Sequence, residues 1–226
     1  MREEFSQILN SNWYKSIEGE GLEGVWIFGG VIRDNFTGQP IRDVDLFCET
    51  TEIAERVMIT LRFFEFGMVR EGSHVATFSS QQFPWDVQVI GKHPTNARRK
   101  RRPMEFSEFA NKTIGFRCNR VGHEIGGDAY YAPGAIEDIR SKIATPCTFH
   151  NPEMFIYRWM KMSARGFRLI FPEGVDVNDL FIPTAGSPRL NTERIRKLFC
   201  DRSAHLQFFT SYYHQSSTTL AFEDLS

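Results

Sequence analysis

Val25-Trp26-Ile27-Phe28-Gly29-Gly30-Val31-Ile32-Arg33-Asp34 leads through a spacer holding Gly38 and Pro40 into Arg42-Asp43-Val44-Asp45-Leu46-Phe47. The two aspartates stand one residue apart in a β-branched and aromatic run. Strand side chains alternate with period two, so both carboxylates project from one face, where a divalent metal can bridge them. Ahead of them, the paired glycines let the backbone come close to a bulky anion, because a side chain at either position would block the approach and narrow the dihedral choices. A triphosphate suits that pairing of glycine turn and metal. A lone Gly-Gly is usually a strand-to-helix turn and a lone Asp-x-Asp a solvated strand end. Here the structural and the chemical requirements coincide at matching spacing.

The composition sets bounds around this segment. With 226 residues, 41% of them hydrophobic, the chain has material for one large or two small domains with a genuine core. A formal net charge of -1 excludes attraction of nucleic acid by the surface as a whole, so a polyanion must be held by a local basic patch. Cys48, Cys118, Cys147 and Cys200 are far apart and form no C-x-x-C pair. That speaks against a zinc knuckle or a disulfide framework and makes a reducing cytoplasm the expected setting. The histidines show no H-x-x-x-H or H-x-x-C spacing and there is no G-x-S-x-G motif, so neither zinc nor a serine nucleophile is expected. The opening MREEFSQILNSNWYK is charged and amphipathic, and no stretch of about 20 apolar residues occurs, so a soluble protein with no membrane partner is expected.

Periodicity supplies the coarse element order. Phe5, Ile8, Leu9 and Trp13 predict one amphipathic helix over residues 3–17, covering a sheet. A strand at 25–29, a short helix at 30–36 ended by Gly38 and Pro40, and a strand at 44–49 follow. Thr50 and Thr51 suit an N-cap, residues 53–66 have helical spacing, and Gly67 suits the helix stop. Strands at about 68–71 and 74–79 and a third over Trp85–Ile90 are expected to complete the mixed sheet. Asp86 is the one acid of that third strand, and an apolar strand rarely carries an acid that lacks a partner or a metal. Asn96 to Pro103 then concentrates Arg98, Arg99, Lys100, Arg101 and Arg102, a charge run of the kind that usually forms a solvated loop.

The segment GGVIRDNFTGQPIRDVDLF resembles the signature of the class II tRNA nucleotidyltransferases (CCA-adding enzymes) and the related bacterial poly(A) polymerases, within the polymerase-β-like nucleotidyltransferases. Their pattern is G-G-x-V-R-D, a Gly-x-Pro spacer, then D-x-D, with Ile32 here in place of Val. Later segments are similar more loosely. Phe109 to Gly115 stands where the family has R-R-D-F-T-I-N, Gly134 to Ile139 resembles G-G-x-x-D-L, Asn151 to Phe167 resembles the neck helix, and Thr192 to Ile195 resembles S-x-E-R-I. The resemblance implies an α+β fold: a polymerase-β-like nucleotidyltransferase head over residues 1–145, a mixed sheet flanked by helices, followed by a smaller helical neck-like domain over 146–226.

It also implies a site and a chemistry. Asp43, Asp45 and Asp86 would be the catalytic carboxylates holding two Mg2+ (or Mn2+) ions, with an NTP as substrate and pyrophosphate as leaving group. Gly29, Gly30 and Arg33 would meet the triphosphate and Asp34 would be a structural partner or cap. Asn111, Asn151, Arg158 and Lys161 would be nucleotide contacts, and the cluster from Arg98 to Arg102 would grip an acceptor phosphate or the triphosphate, as does the family's Arg-Arg-Pro loop.

The departures bear on specificity. The family's base-reading E-D-x-x-R set is replaced by His150 and Asn151, with the arginine falling on Met154 or, with a shift, on Arg158. Asn offers an amide to a base edge, but the carboxylate acceptors are gone. After residue 200 only Leu206 to Tyr213 is helix-like, which implies that a whole tRNA elbow is reached only with a partner protein or an oligomer. A shortened, diverged copy of a housekeeping enzyme suits a mobile element or phage. Three readings stay open: an RNA 3′-end nucleotidyltransferase, favoured because a neck-like helix follows the head; a compact nucleotidyltransferase that modifies a protein or small molecule; and an inactive nucleotide- or RNA-binding module.

Overall fold

The computed structural model describes residues 2–72, 74–91, 103–148 and 152–170, with the short strands at 181–182 and 189–190. The chain forms two units. The first runs to Ala110 and resumes over Asn119–Ile136; the second comprises Asn111–Cys118 and the described residues from Glu137 onward.

In the first unit the opening amphipathic stretch is two helices, α1 (Glu3–Asn10) and α2 (Asn12–Gly19), and not one. Ser11 causes the break. Its hydroxyl donates to the Ile8 carbonyl at 2.6 Å and its backbone is extended, the competition with helical bonding that a serine side chain offers. Both helices still bury their apolar sides, through Phe5 and Ile8, then Trp13, Tyr14 and Ile17.

Strand β1 (Val25–Phe28) ends in the glycine turn, and α3 (Gly30–Thr37) follows, stopped by Gly38 at φ 72°, whose N–H closes on the Asp34 carbonyl. Strand β2 is Asp43–Cys48 and α4 is Thr51–Phe63. Thr50 caps α4, its hydroxyl oxygen accepting the Ile53 N–H at 3.2 Å, a contact worth about 1 kcal/mol. The helix stops before Gly67. Glu65 takes the left-handed conformation at φ 62°, so that buried Phe66 can return its N–H to the Leu61 carbonyl, and Gly67 opens the next strand.

Strands β3 (Gly67–Glu71), β4 (Val75–Ser79) and β5 (Asp86–Ile90) do not complete the sheet. After α5 (Phe106–Thr113) and a 3-10 turn at Arg117–Asn119 come β6 (Val121–Glu124) and β7 (Ala129–Tyr131), which extend it on the other side. The result is seven strands in the order β3-β4-β5-β2-β1-β6-β7, with β2 and β5 parallel and the other neighbours antiparallel. Its buried positions include Val25, Ile27, Val44, Leu46, Val87 and Val89, while α3 packs against β1 and β2, and α4 against β2 and β5.

The chain passes between the units within α5, after Cys118 in the 3-10 turn, and within α6 (Ala135–Arg140). In the second unit β8 (Ile143–Ala144) pairs in parallel with β9 (Arg168–Leu169), and α7 (Pro152–Ser163) lies between them in sequence. A further pair, β10 (Phe181–Ile182) and β11 (Arg189–Leu190), is antiparallel. Arg117 grips Asp138 with two hydrogen bonds, from Nε at 2.9 Å and Nη2 at 2.6 Å. That bond to a carboxylate holds the Arg117 guanidinium even more firmly protonated than usual. Among the described residues no helix is long and apolar enough to cross a membrane.

Candidate active site

Burial along β2 alternates, with Asp43 and Asp45 half-buried and Val44 and Leu46 fully buried. The aspartates therefore share the face opposite the aliphatic core positions. Asp86 is the register partner of Asp43 on the parallel strand β5, and Gln88 that of Asp45. Residues directly abreast on neighbouring strands point to the same side, with strands about 4.8 Å apart. All three carboxylates thus belong to one sheet face.

That face is acidic at one end and aromatic at the other. Phe28 lies abreast of Asp45 and Trp26 abreast of Phe47. Helix α5 covers this part: Phe106 stacks on Trp26 with centroids 4.7 Å apart, and Phe109 on Phe47 at 4.1 Å. Gly122 makes the first contact possible, since a Cβ there would lie 2.5 Å from the Phe106 ring. Glu49, next on the same side of β2 after Phe47, fixes where α5 begins. Its Oε1 accepts both the Trp26 Nε1–H and the Phe106 N–H at 3.1 Å, and its carbonyl accepts the Met104 N–H at 3.0 Å.

The glycine turn faces the aspartates. At Gly29, φ is 71° and ψ is -121°, a combination that only glycine holds without strain. A Cβ at Gly29 would stand 4.0 Å from Asp45 Oδ2, and one at Gly30 would stand 3.9 Å from Asp43 Oδ1. Each glycine keeps clear the space before one carboxylate. The Gly29 N–H is already committed to the Val121 carbonyl at 2.9 Å, so that residue contributes room and not a donor.

Arg33 is only 4% exposed. Its Nε donates to Asp34 Oδ1 at 2.8 Å, its Nη2 pairs with the same oxygen at 2.6 Å, and its Nη1 donates to Asn119 Oδ1 at 2.6 Å. The guanidinium thus joins α3 to the end of the 3-10 turn, directly behind Gly30, where Nη2 would be 3.6 Å from an added Cβ. Asp34 is the structural partner, as its position suggested.

The donor set suits a hard cation. Three carboxylates offer oxygen only, and Mg2+ takes one or two carboxylates and completes its octahedron with water and substrate phosphate. It does not require a protein cage, and among the described residues no group of three His, Cys, Asp or Glu side chains forms one.

The fold has counterparts among solved structures. The chain superimposes on a Thermotoga maritima CCA-adding enzyme in complex with tRNA with a TM-score of 0.54 and 17% identity, over 73% of this chain and 39% of that one. The fold is that of the CCA-adding enzymes. An apo CCA-adding enzyme gives a TM-score of 0.55 at 13% identity over 75% of this chain and 42% of its own. The Bacillus stearothermophilus CCA-adding enzyme in complex with CTP gives 0.51 at 19% identity, over 75% of this chain and 42% of that one. The chain therefore spans about two fifths of the length of these CCA-adding enzymes. No family model matches the sequence. No curated protein matches it either.

Against the CCA-adding fold, the other residues singled out in the sequence fall as follows. Asn111 is exposed near the end of α5, and its carbonyl accepts the Thr148 hydroxyl at 3.4 Å. Arg158 and Lys161 are exposed on α7, in the second unit, with Lys161 Nζ 5.1 Å from the centre of the Tyr157 ring. Arg98, Arg99, Lys100, Arg101, Arg102, His150, Asn151 and the segments Thr192–Ile195 and Leu206–Tyr213 lie outside the described residues. Asn119, Glu49 and Gly122 were not anticipated. For Glu49 a signal exists, because it continues the alternation of Asp43, Asp45 and Phe47; for Asn119 and Gly122, which meet partners far away in sequence, there is none.

Proposed function

We propose that this protein is a metal-dependent nucleotidyltransferase that moves a nucleotide from an NTP to an acceptor hydroxyl, an RNA 3′ end, and releases pyrophosphate. The observation that carries this is the convergence of Gly29 and Gly30 on Asp45 and Asp43, with Asp86 in register beside Asp43. A solvated strand end has no need of a turn that only glycine can form facing it.

In this reading Asp43, Asp45 and Asp86 hold one or two magnesium ions. Bound there, magnesium would supply charge neutralisation at the phosphates and a lowered pKa for the attacking hydroxyl. The chain's own residues do the positioning. Gly29 and Gly30 admit the triphosphate to the carboxylate face, and Arg33, held by Asp34 and Asn119, fixes the turn from behind. Phe106 and Phe109 close the far end of the face, so the reactants are confined to its acidic end. The RNA acceptor is supported by the fold shared with a CCA-adding enzyme captured with tRNA, and the NTP by the one captured with CTP.

The test is incubation with magnesium and each α-labelled NTP in turn, with total RNA or a protein extract, beside the Asp43→Ala/Asp45→Ala variant. Label in RNA that the variant does not produce is the expected result and names the base. Label in protein would move the acceptor to a protein hydroxyl. Label that persists in the variant would remove the aspartates from the chemistry.

A further inference from the structure

We propose that the exposed face of α7 is a binding platform for the RNA strand, with Tyr157 as its stacking surface and Arg158 and Lys161 on the helix, with Arg165 just past its end, as its phosphate contacts. The inference rests on the nucleotidyltransferase reading for its biological setting, though not for its physical argument. That argument begins with charge. Among the described residues the first unit carries 8 Lys and Arg against 18 Asp and Glu, whereas the second carries 9 against 3. Over the whole sequence the same division gives 14 against 18 and 13 against 10. The near-zero net charge therefore conceals a separation of sign, and the positive share falls on the unit that contains α7. By net charge a polyanion is favoured on that unit over the other, where the basic run Arg98–Arg102 offsets part of the acid.

Within α7 the burial pattern decides which residues face outward. Trp159 and Met162 are buried at 8% and 2%, while Tyr157 is 51% exposed and Arg158 and Lys161 are exposed. Positions 157 and 161 stand at the four-residue spacing that puts side chains on one helical face, and Arg165 follows in the turn just past the helix end at Ser163. The contacts link them: Lys161 Nζ sits 5.1 Å from the Tyr157 ring centre, and Arg165 Nη1 donates to the Lys161 carbonyl at 3.4 Å. Lys161 thus caps one side of an exposed aromatic ring.

Exposed cations alone fit many anions. An exposed tyrosine held among them is specific to a ligand that carries both phosphates and flat bases, because a base stacks on the ring while its phosphates meet the flanking cations. A phosphopeptide or a lipid surface uses the cations and gains nothing from the ring. Single-stranded RNA uses both.

The experiment measures binding of a fluorescently labelled single-stranded RNA oligonucleotide to the full chain in EDTA, across a salt series, so that no nucleotide transfer occurs. The variants are Tyr157→Ala, Tyr157→Phe and Arg158→Ala/Lys161→Ala, each checked for native circular dichroism. Tyr157→Ala should weaken binding at least about fivefold and Tyr157→Phe should restore it, since only the ring is needed. The double variant should lower the slope of log affinity against log salt by about 1.4, the value for two phosphate contacts on a single strand. Wild-type affinity and slope in all variants, no RNA binding by the wild type, or binding to anionic phospholipid vesicles but not to RNA would each overturn the platform. Because transfer is assayed separately, RNA binding lost in these variants by a protein that transfers no label would retain the platform and remove the enzymatic reading.

Discussion

Asp43 and Asp86 lie abreast on parallel strands, and the repulsion between them makes the metal site testable without any substrate. With the strands about 4.8 Å apart, the carboxylates stand roughly 5.5 Å from each other and repel by about 0.8 kcal/mol in water and about 3 kcal/mol at an effective dielectric of 20. Asp86 is exposed and Asp43 half-buried, so the lower end governs, and about 1 kcal/mol is the expected cost, in line with like charges facing each other across strands. Asp43→Asn should therefore stabilise the metal-free protein by about 1 kcal/mol at low salt, a rise in Tm of about 2–4 °C for a chain of this size. Magnesium should invert the order. At a hundred times its Kd the ion adds about 2.7 kcal/mol to the wild type, and the variant, lacking a carboxylate, gains far less. Thermal and urea unfolding in EDTA and in magnesium read both terms. An Asn variant less stable than wild type in EDTA would mean that Asp43 serves the fold, and equal stabilisation of both proteins by magnesium would place the ion elsewhere.

Three further outcomes follow from the geometry. Gly29→Ala should cost about 1–3 kcal/mol in urea unfolding because its φ of 71° is closed to other residues, whereas Gly30→Ala should fold normally, its nearest contacts being 3.6 and 3.9 Å, yet lose at least about tenfold in label transfer by filling the space before Asp43. Glu49→Ala should cost about 2–3 kcal/mol by stranding the Trp26 Nε1–H and the Phe106 N–H, and a red-shifted tryptophan emission in the folded variant would report the loosened stack. Burial, with a smaller contribution from Glu18, pushes the Tyr14 hydroxyl up from 10.0 to about 12. The folded state then prefers the protonated phenol, so the associated stability is whole below pH 10 and is lost as pH rises towards 12. Tyr14→Phe should remove that part of the alkaline loss, on the order of 2 kcal/mol, in a pH series of unfolding curves.

Legibility in the sequence followed the range of each interaction. Strands β1 and β2, helix α3 and the shared face of Asp43 and Asp45 rest on alternation and on glycine placement, both local signals, and the structure has them within a residue or two. Ser11 and Glu65 show where local signals mislead: an apolar stripe continues across a helix break, and Gly67 looked like a helix stop while a glutamate took the left-handed position. The joining of β6 and β7 to the sheet was hidden because Val121–Glu124 has no apolar run of its own and earns its place only beside β1. Arg33 is the instructive residue of the candidate site. A triphosphate fork was expected of it, but its partner Asn119 lies 86 positions away, and only the fold reveals that the guanidinium is buried and occupied. The charge separation was equally invisible, since a basic unit assembled from two separated stretches averages out in any count along the chain.

Those two stretches carry a consequence for how such a protein can be taken apart or recombined. The chain crosses between its units after Ala110, after Cys118 and after Ile136. Asn111–Cys118 has partners in what comes later: the Gly115 carbonyl accepts the Cys147 N–H at 2.7 Å, Phe116 bridges to Pro146, and Arg117 forks on Asp138. A cut at Ile136 would leave this octapeptide, with its buried Phe116 and its arginine, unanswered in the middle of the remaining chain. One recombination breakpoint therefore cannot trade the second unit for another. Three junctions would have to move together, so a chimera must keep the acidic unit and the basic unit as a single piece or exchange all three.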